Sequence, residues 1–481
     1  MARRDLAAAV VLLLLSALAS AQSKPVELGD VVVTGSVRFR VESWQWFETP
    51  LADGSYTFGA NQVRLGIQQK RRNFDWMLEL EQPTLFGLPD DAIAPPPQGA
   101  LGLGANYFAS NGREAAGIFL KQGFLRLRLP GTEGNSLRLG RFEFIEGLEP
   151  GSKDATIGVL KRDRIAHRLI GNFGFSHVGR SFDGAQLAWN PRNVNVTLMA
   201  GRATRGVFQV DGMGELDADV LYGALTRGTT SAGPGEWRLF AVMYHDGRRT
   251  TKTDNRPLPA RVADAHNLRV TTVGADLLHV FPTKRAGSFD VLLWGALQGG
   301  SWGVQEHRGW AVALEAGWQP PLKQLKPWLR AGWNRSSGDD DPADASHRTF
   351  FQVLPTPRIY ARFPFFNLMN TDDLFAELVL RPHARLTVRS DVHSLRLASS
   401  KDLWYQGGGA YDQFVFGYAG RPSGGNTSLA TLFDVSADVT VSKNITVTGY
   451  FADAEGKQVI SQIYPADRSA RFGYLEFNYR F

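Results

Sequence analysis

Apolar and polar residues alternate with a period of two along most of the chain. The segment LEFNYRF puts Leu475, Phe477, Tyr479 and Phe481 on one face and Glu476, Asn478 and Arg480 on the other. Val37, Phe39 and Val41 alternate in the same way with Arg38, Arg40 and Glu42. Phe74, Trp76, Leu78 and Leu80 alternate with Asp75, Glu79 and Glu81, and Leu125, Leu127 and Leu129 with Arg126 and Arg128. One apolar and one polar face at this period predicts half-buried β-strands. About eighteen such segments of about 10 residues can be placed, the length at which a tilted strand crosses a bilayer.

The links between them differ in length. Residues 69–73, 130–135, 190–193, 281–287, 381–385 and 442–444 make short ones, and Pro83 to Gly117, Gly147 to Gly179, Ser336 to Asp372 and Ala398 to Ser428 make long ones. This layout predicts an all-β fold, a transmembrane antiparallel β-barrel of about 18 strands with short periplasmic turns and long extracellular loops. Apolar faces then meet lipid, polar faces line the lumen, and the last strand pairs with the first, because a barrel leaves no free edge. The alternation slips near Trp44, Phe142 and Phe472, where bulges or aromatic girdle positions are expected. A secreted β-sandwich has the same periodicity with its faces inverted; the leader, the link lengths and the terminal Phe481 favour the barrel.

The first residues add an address. Arg3 and Arg4 precede an apolar stretch from Leu6 to Ala19 and a small-residue end at Ala19-Ser20-Ala21, the pattern of a cleaved secretory signal. The expected organisation is a signal peptide over 1–21, a short periplasmic segment over 22–30 and an outer-membrane barrel over 31–481. The expected partners are outer-membrane lipid and lipopolysaccharide, the barrel-insertion machinery that reads a terminal Phe strand, and the transported solute. Strands starting near Val31 leave no room for a plug domain. The absence of Cys excludes disulfides and thiolate metal sites. The chain carries a formal charge of +6, with arginine outnumbering lysine more than three to one. For an exported protein this excludes nucleic acid as a partner and points to anionic solutes or lipid surfaces.

Polar faces in the lumen place Arg38, Arg40, Arg64, Arg126, Arg128, Arg138 and Arg389 inside, with Glu79, Glu81, Asp391 and His393 as counter-charges. A ring of guanidinium groups selects anions, whereas pairing across strands braces the wall; both roles are expected. The acidic run Asp339, Asp340, Asp341 and Asp344 lacks the EF-hand spacing and reads as a solvated loop rather than a calcium site. His167, Ser176, His177 and Asp183 show no nucleophile fixed beside a base, so no catalytic residues, no metal and no cofactor are assigned.

Several stretches resemble the alginate-export-type outer-membrane porins: LRLGRFEF (137–144), HVGRSFDGAQLAW (177–189), SGDDDPADASHRTFFQVLPT (337–356) and RSDVHSLRLASSKDLWY (389–405). The resemblance implies an eighteen-stranded, monomeric barrel whose Arg-rich lumen passes an anionic, uronate-type polysaccharide or oligosaccharide by passive diffusion. Carried over by motif, it adds Arg141, Arg180, Asp183, Asp391 and His393 to the lumen set. Loops Pro83 to Gly117 and Ser336 to Asp372 are the expected gates. A general or small-anion porin is the alternative of the same architecture, and an outer-membrane adhesin or hydrolase the alternative of another class.

Overall fold

The computed structural model describes residues 26–481. The expected signal over 1–21, and the first part of the segment after it, lie outside the described residues. Eighteen strands form the wall. The first six are β1 (Val31–Gln45), β2 (Ser55–Lys70), β3 (Phe74–Phe86), β4 (Phe119–Arg128), β5 (Ser136–Phe142) and β6 (Phe182–Trp189). Next come β7 (Val194–Thr204), β8 (Glu215–Thr229), β9 (Gly235–Asp246), β10 (Leu268–Pro282), β11 (Ser288–Trp302) and β12 (Gln305–Gln319). The last are β13 (Trp328–Ser336), β14 (Thr371–His383), β15 (Leu386–Leu397), β16 (Ser428–Thr440), β17 (Ile445–Gly456) and β18 (Ser469–Arg480).

Each strand pairs antiparallel with its sequence neighbours, and β1 pairs with β18 from Ser36↔Arg480 to Gln45↔Arg471, which closes the barrel. Phe481 completes the seam: its N–H donates to the Gly35 carbonyl at 3.0 Å and its carbonyl accepts from Gly35 N–H at 3.1 Å. The Phe481 ring lies where a Cβ on residue 35 would be, so only glycine admits this approach.

Period-two patterning becomes an outside and an inside. Leu65, Leu239, Leu374 and Leu475 are more than half exposed on the outward face, as a lipid-facing surface requires. On β12, Trp310 and Trp318 are both 41 % exposed on that face. Eight residues span about 27 Å along a strand and, at a tilt of about 40°, about 21 Å of height, close to the apolar band of such barrels. The two indoles therefore bracket the band.

The links at one end are short, such as 71–73, 190–193 and 384–385. The other end carries the long 87–118, 143–181, 337–370 and 398–427 loops, although there the β11–β12 link is only Gly303 and Val304. The long loops fold over and into the barrel. The 143–181 loop contains helix α2 (Ala155–Leu160), capped by Asp154 accepting Ile157 N–H at 2.9 Å; the preceding helix, α1 (Leu103–Asn111), belongs to the 87–118 loop. Phe350, Phe351, Val353, Leu354, Phe363 and Phe365 of the 337–370 loop are fully buried. An Ile170↔Leu354 bridge joins the 143–181 and 337–370 loops.

This apolar filling explains the three places where the alternation slips. Trp44, Phe142 and Phe472 keep their parity and point inward, where they meet packed loops rather than water. Trp44 stacks on Phe472 at 4.0 Å, and Trp46 lies parallel to Phe363 at 5.5 Å. They are neither bulges nor girdle positions.

Candidate functional site

Arginines with even numbers on β1 face the lumen because Val37, Phe39 and Val41 face lipid. Arg40 sits opposite Glu476 across the closing seam. Its guanidinium donates to Glu476 at 2.7 Å, to Glu42 at 3.1 Å and to the Phe175 carbonyl at 3.0 Å. It also covers the rings of Phe175 at 4.3 Å and Tyr474 at 4.9 Å. Arg38 donates instead to the carbonyls of Gly174, at 2.5 Å, and Ser176. The β1 arginines thus hold the 174–176 segment against the wall.

Arg64 meets Glu81 at 2.7 Å, Glu143 at 3.2 Å and Glu79 at 3.6 Å. Lys121 lies 3.6 Å from Glu143 and donates to the Val178 carbonyl at 2.7 Å. Burial alone would raise the Glu143 carboxyl, but Arg64 and Lys121 overcome it and hold the group at about 2. Toward the short turns, Arg126 and Arg128 share one carboxylate, Asp75, at 2.6 Å from Arg128 and 3.9 Å from Arg126. Arg138 reaches Gln186 and stacks on Phe142 at 4.1 Å. The side chains of Arg126 and Arg128 remain 40 % and 45 % exposed.

The facing wall is richer in acid. Arg389 bonds Asp391 at 2.9 Å and Glu377 at 3.0 Å, and His393 Nδ1 meets Asp373 at 3.0 Å. Buried Glu315 accepts a two-pronged bond from Arg164 at 2.8 Å and contacts Arg168 at 3.2 Å and Arg330 at 3.3 Å. These are closed pairs, in which each charge is offset by its neighbour.

Twelve of the fourteen expected residues therefore lie in the barrel interior, but two lie elsewhere. Arg141 and Asp183 are paired at 2.5 Å on the outward face, because they share parity with exposed Leu139 and Trp189. The lumen assignment of these two is corrected: they belong to a band of ion pairs above the lipid. Arg180 is interior but not on the wall. It sits in the 143–181 loop, donates to the carbonyls of Gly409 at 2.7 Å and Pro355 at 3.3 Å, and so ties three loops together. Burial pulls its guanidinium down to about 10.

Two arginines that period-two counting missed complete the interior. Arg358 lies 5.8 Å from the Phe175 ring, and Arg362 lies 5.1 Å from Tyr450 and 5.7 Å from Tyr474. Among the described residues, neither they nor Arg38 and Arg138 have a carboxylate within 4 Å. Burial lowers Arg358 to about 10. A cavity of about 10 Å³, the size of one water, is lined by Arg362, Arg389, Asp391 and Asp434. The expected gate at Ser336 to Asp372 carries both arginines. The 87–118 loop packs above, with Tyr107 accepting His177 N–H at 3.0 Å.

The acidic run is neutralised locally: Arg348 contacts Asp344 at 2.7 Å and Asp340 at 3.5 Å, and Asp341 N–H donates to Asp339. Among the described residues no cluster of His, Asp or Glu is arranged to hold a metal ion.

A family model described as Alginate export matches residues 137–451, well over half of the chain. No curated protein matches the sequence. Solved structures match the fold. OccK9 (OpdG) of Pseudomonas aeruginosa has a TM-score of 0.59 at 12 % identity, covering 94 % of this chain and 98 % of its own. OccAB2 of Acinetobacter baumannii has a TM-score of 0.59 at 9 % identity with the same coverage. OccK2 (OpdF) of P. aeruginosa in complex with glucuronate has a TM-score of 0.56 at 9 % identity, again covering 94 % and 98 %. Closed by its β1–β18 seam and matched from β5 to β17, the chain belongs to the alginate export family and is a β-barrel porin of the bacterial outer membrane.

Proposed function

We propose that the barrel passes anionic, uronate-type saccharides by passive diffusion along the side of the lumen formed by β17, β18 and β1 to β5. The observation that carries this reading is the set of guanidinium groups without a carboxylate partner, Arg38, Arg138, Arg358 and Arg362, gathered on that side. Exposed Arg126 and Arg128 continue the row toward the short turns. Planar guanidinium groups bind carboxylates in a two-pronged fashion. Each guanidinium replaces part of the solute's hydration, and neighbouring sites allow it to move on without covalent chemistry. The family description names export of a uronate polymer, and one fold neighbour was crystallised with glucuronate, a monomer of that class.

The test is single-channel current in a planar bilayer, with the reversal potential under a salt gradient and then added oligouronates. Anion selectivity and dose-dependent block are expected, and Arg126→Glu with Arg128→Glu should weaken both. Cation selectivity would overturn the reading. Anion selectivity without block by oligouronates would leave a general small-anion porin.

A further inference from the structure

On β12 the outward face changes character within two residues. Trp310 marks the edge of the apolar band, and the next outward side chain toward the long loops, Arg308, is 72 % exposed. At this height a groove of about 850 Å³ opens on the outside of the barrel, between the ends of β11 to β13 and the 337–370 and 398–427 loops. Leu297 and Trp310 form its membrane side, and Arg308, Arg335, Arg348 and Lys401 line the rest with a single carboxylate, Asp340. The two-residue β11–β12 link keeps the rim low beside it.

The cations stand where lipid headgroups lie, just beyond an interfacial tryptophan. Arg308 is held by Glu306 at 2.7 Å, Arg335 by Asp372 at 3.2 Å, and Arg348 by Asp344 at 2.7 Å and Asp340 at 3.5 Å. Lys401 has no carboxylate within 4 Å among the described residues. Exposed pairs of this kind are weakly held, so a phosphate, which accepts two-pronged bonds from arginine, can take the place of the carboxylates. Hydroxyls of Ser337, Ser399 and Ser400 border the same space. A second outward groove, near β7 to β10, offers no such excess, because Arg202 is clasped by both Asp217 and Asp219 and Asp183 lies beside it.

We propose that the groove binds the phosphorylated sugar headgroup of a membrane lipid, with a lipopolysaccharide-type phosphoglycolipid as its occupant. Four cations spread around one groove exceed the needs of a single phosphodiester and suit a disaccharide bearing two phosphates. The hydroxyls suit its sugar, and Leu297 and Trp310 meet its acyl chains. The long-loop end is then the cell-surface end, where such lipids reside. The inference is independent of which solute crosses the lumen.

The test is native mass spectrometry of the full-length barrel in detergent, titrated with bis-phosphorylated lipid A, its dephosphorylated form, phosphatidylglycerol and inorganic phosphate. Bis-phosphorylated lipid A is expected to bind at least about 10-fold more tightly than the other three. Arg308→Glu with Lys401→Glu should lose that preference, whereas Arg471→Glu, in an exposed pair on β18, should keep it. Heat-modifiable gel migration reports folding, and Lys401→Glu alone, which breaks no ion pair, serves if the double variant does not fold. Equal binding of the dephosphorylated lipid, of phosphatidylglycerol or of inorganic phosphate would overturn the proposal, as would full affinity in the folded variants.

Discussion

Arg40 and Arg358 share one aromatic ring: the wall arginine lies 4.3 Å from the centre of Phe175, and the loop arginine 5.8 Å. Only the first is compensated by carboxylates, Glu42 and Glu476. The second donates to the Arg362 carbonyl at 2.9 Å and has no carboxylate partner among the described residues, which on the proposed function leaves it to meet one on the solute. Arg358→Gln is expected to raise the half-blocking concentration of oligouronates about 10-fold, the loss of about one charged hydrogen bond. Arg358→Lys should restore less than half of that effect, because an ammonium lacks the planar fork. Block measured on single channels decides it, and an unchanged value in Arg358→Gln would remove this residue from the path.

Trp46 and Phe363, parallel at 5.5 Å, latch the tip of the 337–370 loop to the 46–54 link. Truncating a buried Phe costs about 3–5 kcal/mol when the site cannot collapse. In Phe363→Ala the cost should fall on the loop and leave the wall standing, since the strands keep their pairing. More frequent current steps and faster amide exchange across 355–366 are expected, with an unchanged heat-modifiable band.

Asp402 clasps two loops. Its carboxylate accepts from Thr349 Oγ1 at 2.5 Å, Tyr405 hydroxyl at 2.7 Å, and the N–H groups of Asp339 at 2.9 Å and Leu403 at 2.7 Å. Burial nevertheless pushes the acid up to about 6. A carboxyl raised on folding stabilises most below its unfolded value of about 4, and that contribution is lost as pH rises through about 6. The clasp should accordingly tighten between pH 7 and pH 5. His347, stacked on Trp302 at 4.0 Å, opposes it: burial keeps its imidazole well below the usual range, so its contribution is lost in acid. In His347→Gln the opposing loss in acid should shrink to that of its neighbour His307, which burial holds at about 4, and Asp402→Asn should abolish the tightening. Amide exchange at 339 and 349, corrected for intrinsic rates, reads both.

Phe481 anchors the seam through two backbone bonds to Gly35 and a ring laid over that glycine. Gly35→Val should displace the ring and lower the urea midpoint of the purified barrel. Removing Phe481 should lower it further, at about 1 kcal/mol for each lost hydrogen bond in addition to the ring's packing. A seam variant that refolds with an unchanged midpoint would show that β1 and β18 hold without this contact.

The wall was legible because strand parity is local. Counting by twos from Leu475 or Val37 finds the lipid face without knowing any partner. The same count places Arg141 with Leu139 and Asp183 with Leu187, on the outward face. A motif match takes no account of faces, and it carried both into the lumen. Trp44 and Phe472 looked irregular only while the lumen was pictured as water; inward aromatics are in place once loops fill it. Arg358 and Arg362 could not be read from pattern, because the 337–370 loop has no period and its contacts are all distant in sequence. Its apolar character was the one visible signal, and it marks burial rather than charge.

The salt bridge that crosses the seam joins residues 436 positions apart, Arg40 and Glu476. Every other strand pair in the wall forms between neighbours along the chain and can form early. This one must wait for the whole chain, because contacts at such separation carry the largest loop-closure cost. Until then β1 and β18 are both open edges, able to pair with a second copy or with a foreign strand. The order of events is thus written into the topology: an open, curling sheet first, and a sealed cylinder only when the final strand arrives.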